Sequence, residues 1–236
     1  MPNSTAPIRR LHRLRLRNGM YGRHGKVVVA ALLVAMAATA PARTDEPTDQ
    51  DIFWQRLQEL CGHAFAGTMT AYDATADADW LGQSIVAHLR RCTADRIEIP
   101  LHVGEDRSRT WVLTRVAGGL RLQHDHRHAD GSEDAVSWYG GSTRDPGRPG
   151  RQVFPADAFS RSLFLARGME VSVENSWVLE LVPGEMLAYA LVRSGRHVRL
   201  EFGLGEPVPV PPAPWGFEEG EGQPVPPDSG GGDQIP

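Results

Sequence analysis

Between Ala64 and Leu204 the chain is a succession of short runs in which apolar and polar residues alternate, each run stopped by Gly, Asp or Pro. Ile97, Ile99, Leu101 and Val103 keep this rhythm, as do Val198, Leu200, Phe202 and Leu204. A period of two belongs to the β-strand, whose successive side chains leave opposite faces. The spacing predicts strands near 64–71, 84–91, 96–103, 109–116, 119–128, 133–140, 151–154, 170–181, 186–193 and 197–204. Turn signals fall between them at Gly118-Gly119, Asp130-Gly131, Pro146-Gly147, Pro183-Gly184 and Ser194-Gly195. Two segments carry helical spacing instead: Ile52 to Leu60, and Asp157 to Leu165 with Asp157 as its N-cap.

Strands that follow one another through tight turns form an antiparallel meander. An open meander leaves two unpaired edges, and closure into a barrel removes them. The expected fold class is therefore all-β: an antiparallel up-and-down β-barrel of the lipocalin or fatty-acid-binding (calycin-like) type, with a short N-terminal helix. A two-sheet sandwich or jelly roll is the alternative. One domain, residues 52–204, suffices for one core.

The flanks differ from this domain. Residues 1–42 have the make-up of an export signal: seven basic residues and no acidic ones, then the apolar run Val27 to Ala40, then Ala40-Pro41-Ala42 as a cleavage site. The apolar run is short for a bilayer span. Met20 is a second candidate start. The expected location is periplasmic or secreted, with no stable membrane span after cleavage. Residues 43–51 read as a flexible lead-in. Residues 205–236, rich in Pro, Gly and acid, read as a disordered tail, with Trp215 and Phe217 as possible docking anchors within it.

Export changes the charge argument. Taking the seven basic residues of 1–42 from the 25 in the chain leaves 18 arginines against 29 carboxylates, a formal charge of −11. An acidic surface argues against nucleic acid as a partner. Lys26 is the only lysine, so the mature chain has none, which excludes Schiff-base and lysine-held pyridoxal phosphate chemistry. Cys61 and Cys92 are the only cysteines. An even pair in an oxidising compartment is expected to form a disulfide.

Chemistry concentrates in Leu120 to Asp134, LRLQHDHRHADGSED. His124, His126 and His128 occupy alternate positions and would share a strand face with Leu120 and Leu122, the inner one. With Asp130-Gly131 at the centre of a two-residue type I′ turn, His128 would face Glu133, Arg127 would face Asp134, and Leu122 would face Tyr139. Candidate ligand-binding residues are thus His124, His126, His128, Glu133 and Tyr139. His124, His126 and Glu133 are the candidate metal ligands, since two imidazoles and a carboxylate suit Fe(II), Mn(II) or Zn(II). The stretch echoes the cupin metal motif, with a longer His-to-Glu gap and no second motif carrying a third His. Solvent-facing histidines at the wet end of a hairpin are the other reading.

No Gly-x-Ser-x-Gly elbow, His-Glu-x-x-His motif, Walker loop or dinucleotide fingerprint occurs. Asp106 to Trp111, DRSRTW, is compact and charged, suited to Arg–carboxylate pairing or to an anionic ligand. Together with CGHAFAG (61–67), HDHRHADGSED (124–134) and YGG (139–141), it resembles a family of uncharacterised secreted bacterial proteins. The resemblance covers about residues 52–204. It implies export and a single domain, and no activity.

The functional expectation is an exported, noncatalytic barrel that holds a small-molecule ligand. A metal-dependent enzyme built on the histidine hairpin and a structural or envelope-interaction protein are the alternatives. Amino-terminal sequencing of the exported protein should begin at Arg43. A chain retaining residues 27–40 would identify a membrane anchor instead.

Overall fold

The computed structural model describes residues 46–218. Residues 1–45, which include the expected export signal, and residues 219–236 lie outside the described residues. The first helix, α1 (Asp49–Gln58), starts earlier than its apolar spacing suggests. Thr48 and Asp51 form a capping box that satisfies two amides at the helix start. Phe53, Trp54 and Leu57 are buried.

Eleven strands follow: β1 (Ala64–Ala71), β2 (Ile85–His88), β3 (Arg91–Cys92), β4 (Arg96–Val103), β5 (Asp106–Val116), β6 (Gly119–His126), β7 (Tyr139–Ser142), β8 (Arg151–Pro155), β9 (Ser176–Val182), β10 (Met186–Arg193) and β11 (Arg196–Gly203). A second helix, α2 (Ala158–Ala166), and a short 3-10 turn at Glu170–Glu174 lie between β8 and β9. Asp157 caps α2, accepting from the Ser160 amide at 2.8 Å.

All pairing is antiparallel, in the order β7-β6-β5-β4-β2-β1-β11-β10-β9-β8, with β3 on β4. The fold is an all-β, up-and-down, nearly closed barrel, as the alternation predicts. The first strand meets the last, Gly67 opposite Phe202. The inward positions of β4, β5, β6, β9, β10 and β11 form one core, including Ile97, Ile99, Leu113, Leu122, Leu179 and Leu200. α1 belongs to that core and closes one end. Gln50 bonds Thr143 across that end, and Arg56 bonds the Pro149 carbonyl. Cys61 and Cys92 are bonded, Cα atoms 6.2 Å apart, and tie the end of α1 to β3. Closing a loop of this length is worth about 3–4 kcal/mol in the chain-entropy treatment.

The ring's one ladder gap is between β7 and β8. There the backbones meet without side chains between them. A Cβ on Gly141 would land on the Pro155 carbonyl oxygen of β8, and one on Gly140 would land on the Leu122 carbonyl oxygen of β6, on the other side of β7. The Asp157 amide bonds Gly140 O at 3.0 Å, and the Ser160 hydroxyl serves both the amide and the carbonyl of Gly140, at 2.7 and 2.8 Å. α2 thus stands in for the missing ladder.

Three sequence expectations need correction. Residues 170–174, read as the start of a strand, form the 3-10 turn, and β9 starts at Ser176. Residues 133–140 do not form a strand; only Arg127–Glu133 bridges, and β7 starts at Tyr139. Residues 205–218, expected to belong to a loose tail, form a strap across the outside of the barrel. The Val208 amide bonds Ala64 O at 2.8 Å, and the Trp215 amide bonds Arg107 O at 3.1 Å. Phe217 lies between the guanidinium groups of Arg90 and Arg127, 5.3 and 5.8 Å from its centroid. Outward-facing His88, Arg90, Glu98, His102, Thr110 and Asp125 are accordingly buried.

Gly141→Ala should destabilise the barrel by about 3 kcal/mol or more, because the Pro155 backbone would have to give way. Gly184→Ala, at a turn with open space around it, should cost about 1 kcal/mol for its positive φ. Urea unfolding of both variants decides this; equal losses would show that the β7–β8 seam is not tightly closed.

Candidate functional site

The open end of the barrel gathers polar rings. β6 directs Leu120, Leu122 and His124 into the core, and His124 is 3% exposed. His126, the last residue of the strand, is half-buried at the mouth. His128 lies past the strand end and is exposed, 3.5 Å from Asp134. The three imidazoles therefore do not share one pocket.

The hairpin register explains the rest. Arg127, not His128, stands opposite Glu133, and Tyr139, expected opposite Leu122, stands opposite His124. A shift of one residue turns a side chain to the other face. Glu133 is exposed as a result. The expected Arg127–Asp134 pair is replaced by Arg127–Asp125 at 3.0 Å. Trp138, in a left-handed conformation at φ 62°, joins the loop to β7. The His124–His126–Glu133 metal set is thus not assembled, and among the described residues no three His, Cys, Asp or Glu side chains are grouped to hold a metal ion.

His124 is fully committed. Its Nδ1 lies 3.1 Å from Tyr139 O and its Nε2 lies 2.9 Å from the Tyr189 hydroxyl. A carbonyl only accepts, so Nδ1 carries the proton and the Tyr189 O–H donates to Nε2. The ring also stacks on Tyr139 with centroids 4.7 Å apart. Tyr189 in turn stacks on Trp111 at 4.2 Å. His126 Nε2 pairs with the Tyr139 hydroxyl at 3.1 Å. Burial, then the neighbouring His126, pushes His124 down to about 3. Burial, then the Arg109 guanidinium, pushes His126 down to about 4. Burial raises Tyr139 to about 12 and Tyr189 well above its usual range. Near neutrality the cluster is an uncharged imidazole–phenol network.

This network walls a chamber of about 170 Å3, floored by Leu101, Leu191, Val198 and Leu200 and rimmed by Trp80, Arg109 and Arg196. Arg109 is paired with Asp106 and lies over the Trp80 ring at 5.0 Å. Arg196 is clamped by Asp77 through two hydrogen bonds, one at 2.7 Å. Beside the chamber, sharing His126, Tyr139 and Val198 with it, runs a groove of about 320 Å3 reaching Asp134, Phe164, Asn175 and Arg193. A larger trough of about 690 Å3 near Thr70–Asp73 and the 192–197 turn is open surface lined mostly by turn residues.

Of the expected site residues, the structure unites His124, His126 and Tyr139 and sets His128 and Glu133 outside. Tyr189, Trp80, Arg193 and Arg196 are additions. Tyr189 was signalled only by its place in the Leu187–Leu191 alternation. The DRSRTW stretch supplies Arg109 as a paired mouth residue. No family model matches the chain, and no curated protein or solved structure matches it.

Three buried histidines fix a pH dependence. His88 is also held down, to about 4, by burial, then by His102 and Arg90. Each of these rings takes a proton readily only when unfolded, near 6.5. The unfolded chain therefore binds more protons between 6.5 and about 4, and stability must fall as pH drops through that window. Their contribution is fully present above 6.5. Per histidine the slope approaches about 1.4 kcal/mol per pH unit. Urea titrations across this range should show the loss, and His124→Asn should make it shallower by one histidine's share, leaving that of His88 and His126. A flat profile would mean that these histidines are hydrated.

Proposed function

We propose that this protein is an exported, noncatalytic barrel that binds a small organic ligand in the chamber beside His126 and Tyr139. The observation carrying this reading is an unfilled space at the end of an otherwise packed core, walled by polar rings. Polar groups converging on an apolar-floored cavity are the usual make-up of a ligand site. The His126–Tyr139 pair offers a guest either a donor or an acceptor, because imidazole and phenol exchange those roles by reorienting one proton.

Binding is favoured over catalysis by the state of the candidate groups. Both His124 nitrogens are occupied, and the Tyr139 hydroxyl next to His126 is held protonated by burial. A base with no free nitrogen and a phenol with no accessible anion are poor reagents, but they orient a guest well. Export is supported by the leader-like composition and by the Cys61–Cys92 bond. No helix among the described residues is long and apolar enough to cross a membrane.

A thermal-shift screen of the purified protein against a metabolite library, followed by calorimetry, tests the proposal. Binding should weaken about tenfold or more in His126→Ala. It should disappear in Val198→Phe, where the new ring occupies the chamber. If no compound binds in a manner sensitive to Val198→Phe, the chamber is not a ligand site.

A further inference from the structure

The groove beside the chamber holds two polar atoms with nothing to bond. Arg193 Nε is buried without an acceptor, and Asn175 Oδ1 is buried without a donor. Asn175 is only 6% exposed. Both residues line the groove. Buried polar groups are nearly always satisfied, and an orphaned pair in one cleft needs an explanation.

Charge bookkeeping singles out the same place. Arg193 stands directly across the β10–β11 turn from Arg196. Two like charges facing each other repel, and only one is neutralised: Asp77 clamps Arg196. Of the other acids of the mouth, Asp106 holds Arg109, and Asp134, which also lines the groove, accepts from the Val136 amide at 2.6 Å and faces His128 without pairing with Arg193. Among the described residues no carboxylate pairs with Arg193.

We propose that the ligand of this barrel is an apolar-tailed carboxylic acid with a hydrogen-bond donor next to its carboxylate, of the acyl-amino-acid or hydroxy-acid type. This rests on the chamber being the binding site. The carboxylate accepts from Arg193, the adjacent N–H or O–H donates to Asn175 Oδ1, and the tail enters the chamber across Leu191 and Val198. A guanidinium recognises a carboxylate through directed donors. One ligand then gives both Arg193 and Asn175 a partner and places its apolar atoms in the chamber.

The test uses N-acylglycines from butanoyl to decanoyl, their methyl esters, and plain alkanoates of matching length, measured by calorimetry on the exported protein. The acids should bind at least about tenfold more tightly than the esters. Arg193→Met should abolish that preference, and Arg193→Lys should keep part of it, with circular dichroism confirming that both variants are folded. Asn175→Leu should bring acylglycine and alkanoate affinities together. Esters that bind as well as acids, or a preference that survives in Arg193→Met, would overturn the proposal. So would a complete lack of binding by the acylglycines. If library compounds sensitive to Val198→Phe are found in that case, the chamber reading stands and only the ligand class falls.

Discussion

A β-barrel stands or falls on whether every strand edge is covered, and in this chain the hardest edge is the one between β7 and β8. Ladder hydrogen bonds run unbroken around the ring everywhere else. At the seam, Gly141 lets the β7 backbone approach the Pro155 carbonyl oxygen of β8, a weak contact. Ser160 and Asp157 add the stronger bonds from outside. α2 therefore acts as part of the wall. The Tyr139 ring, which roofs His124, is carried by the first residue of β7, next to Gly140 and Gly141. Site geometry and wall closure are thus one problem.

The polar network repays that arrangement. An imidazole buried as deeply as His124 is costly unless both nitrogens find partners. A backbone carbonyl from β7 and a hydroxyl from β10 supply them. Those two strands lie on opposite sides of the seam in the strand order. The hydrogen bonds cross the barrel interior where no ladder connects the walls. The same contacts that neutralise the histidine hold the ring in shape.

Much of this was legible in the sequence, and where it failed the reasons are physical. The strands at 96–103 and 186–193 match their predicted limits because simple alternation and clear turn residues bound them. The histidine hairpin was misread because Asp130-Gly131 suggests a two-residue turn, whereas the chain uses a longer irregular loop from His128 to Trp138. In a hairpin tip with polar residues on both faces, nothing in the pattern penalises a register slip. That slip moved Glu133 outside and brought Tyr139 over His124. The strap was misread because Pro and Gly argue against a core of its own, yet it needs none: Trp215 and Phe217 borrow the barrel's outer wall. Arg193 and Asn175 could not be recognised from sequence, since their interest lies in partners they lack.

Pairing of β1 with β11 carries a consequence for the order of events during synthesis. Gly67 cannot meet Phe202 until nearly the whole domain has been made, and the strap, anchored on Ala64 and Arg107, comes later still. Contacts so distant along the chain form slowly, because the intervening loop must be closed before they reward it. The barrel is therefore a fold whose wall closes only when its last strand reaches its first, so that no stretch of the chain short of β11 holds the complete ring.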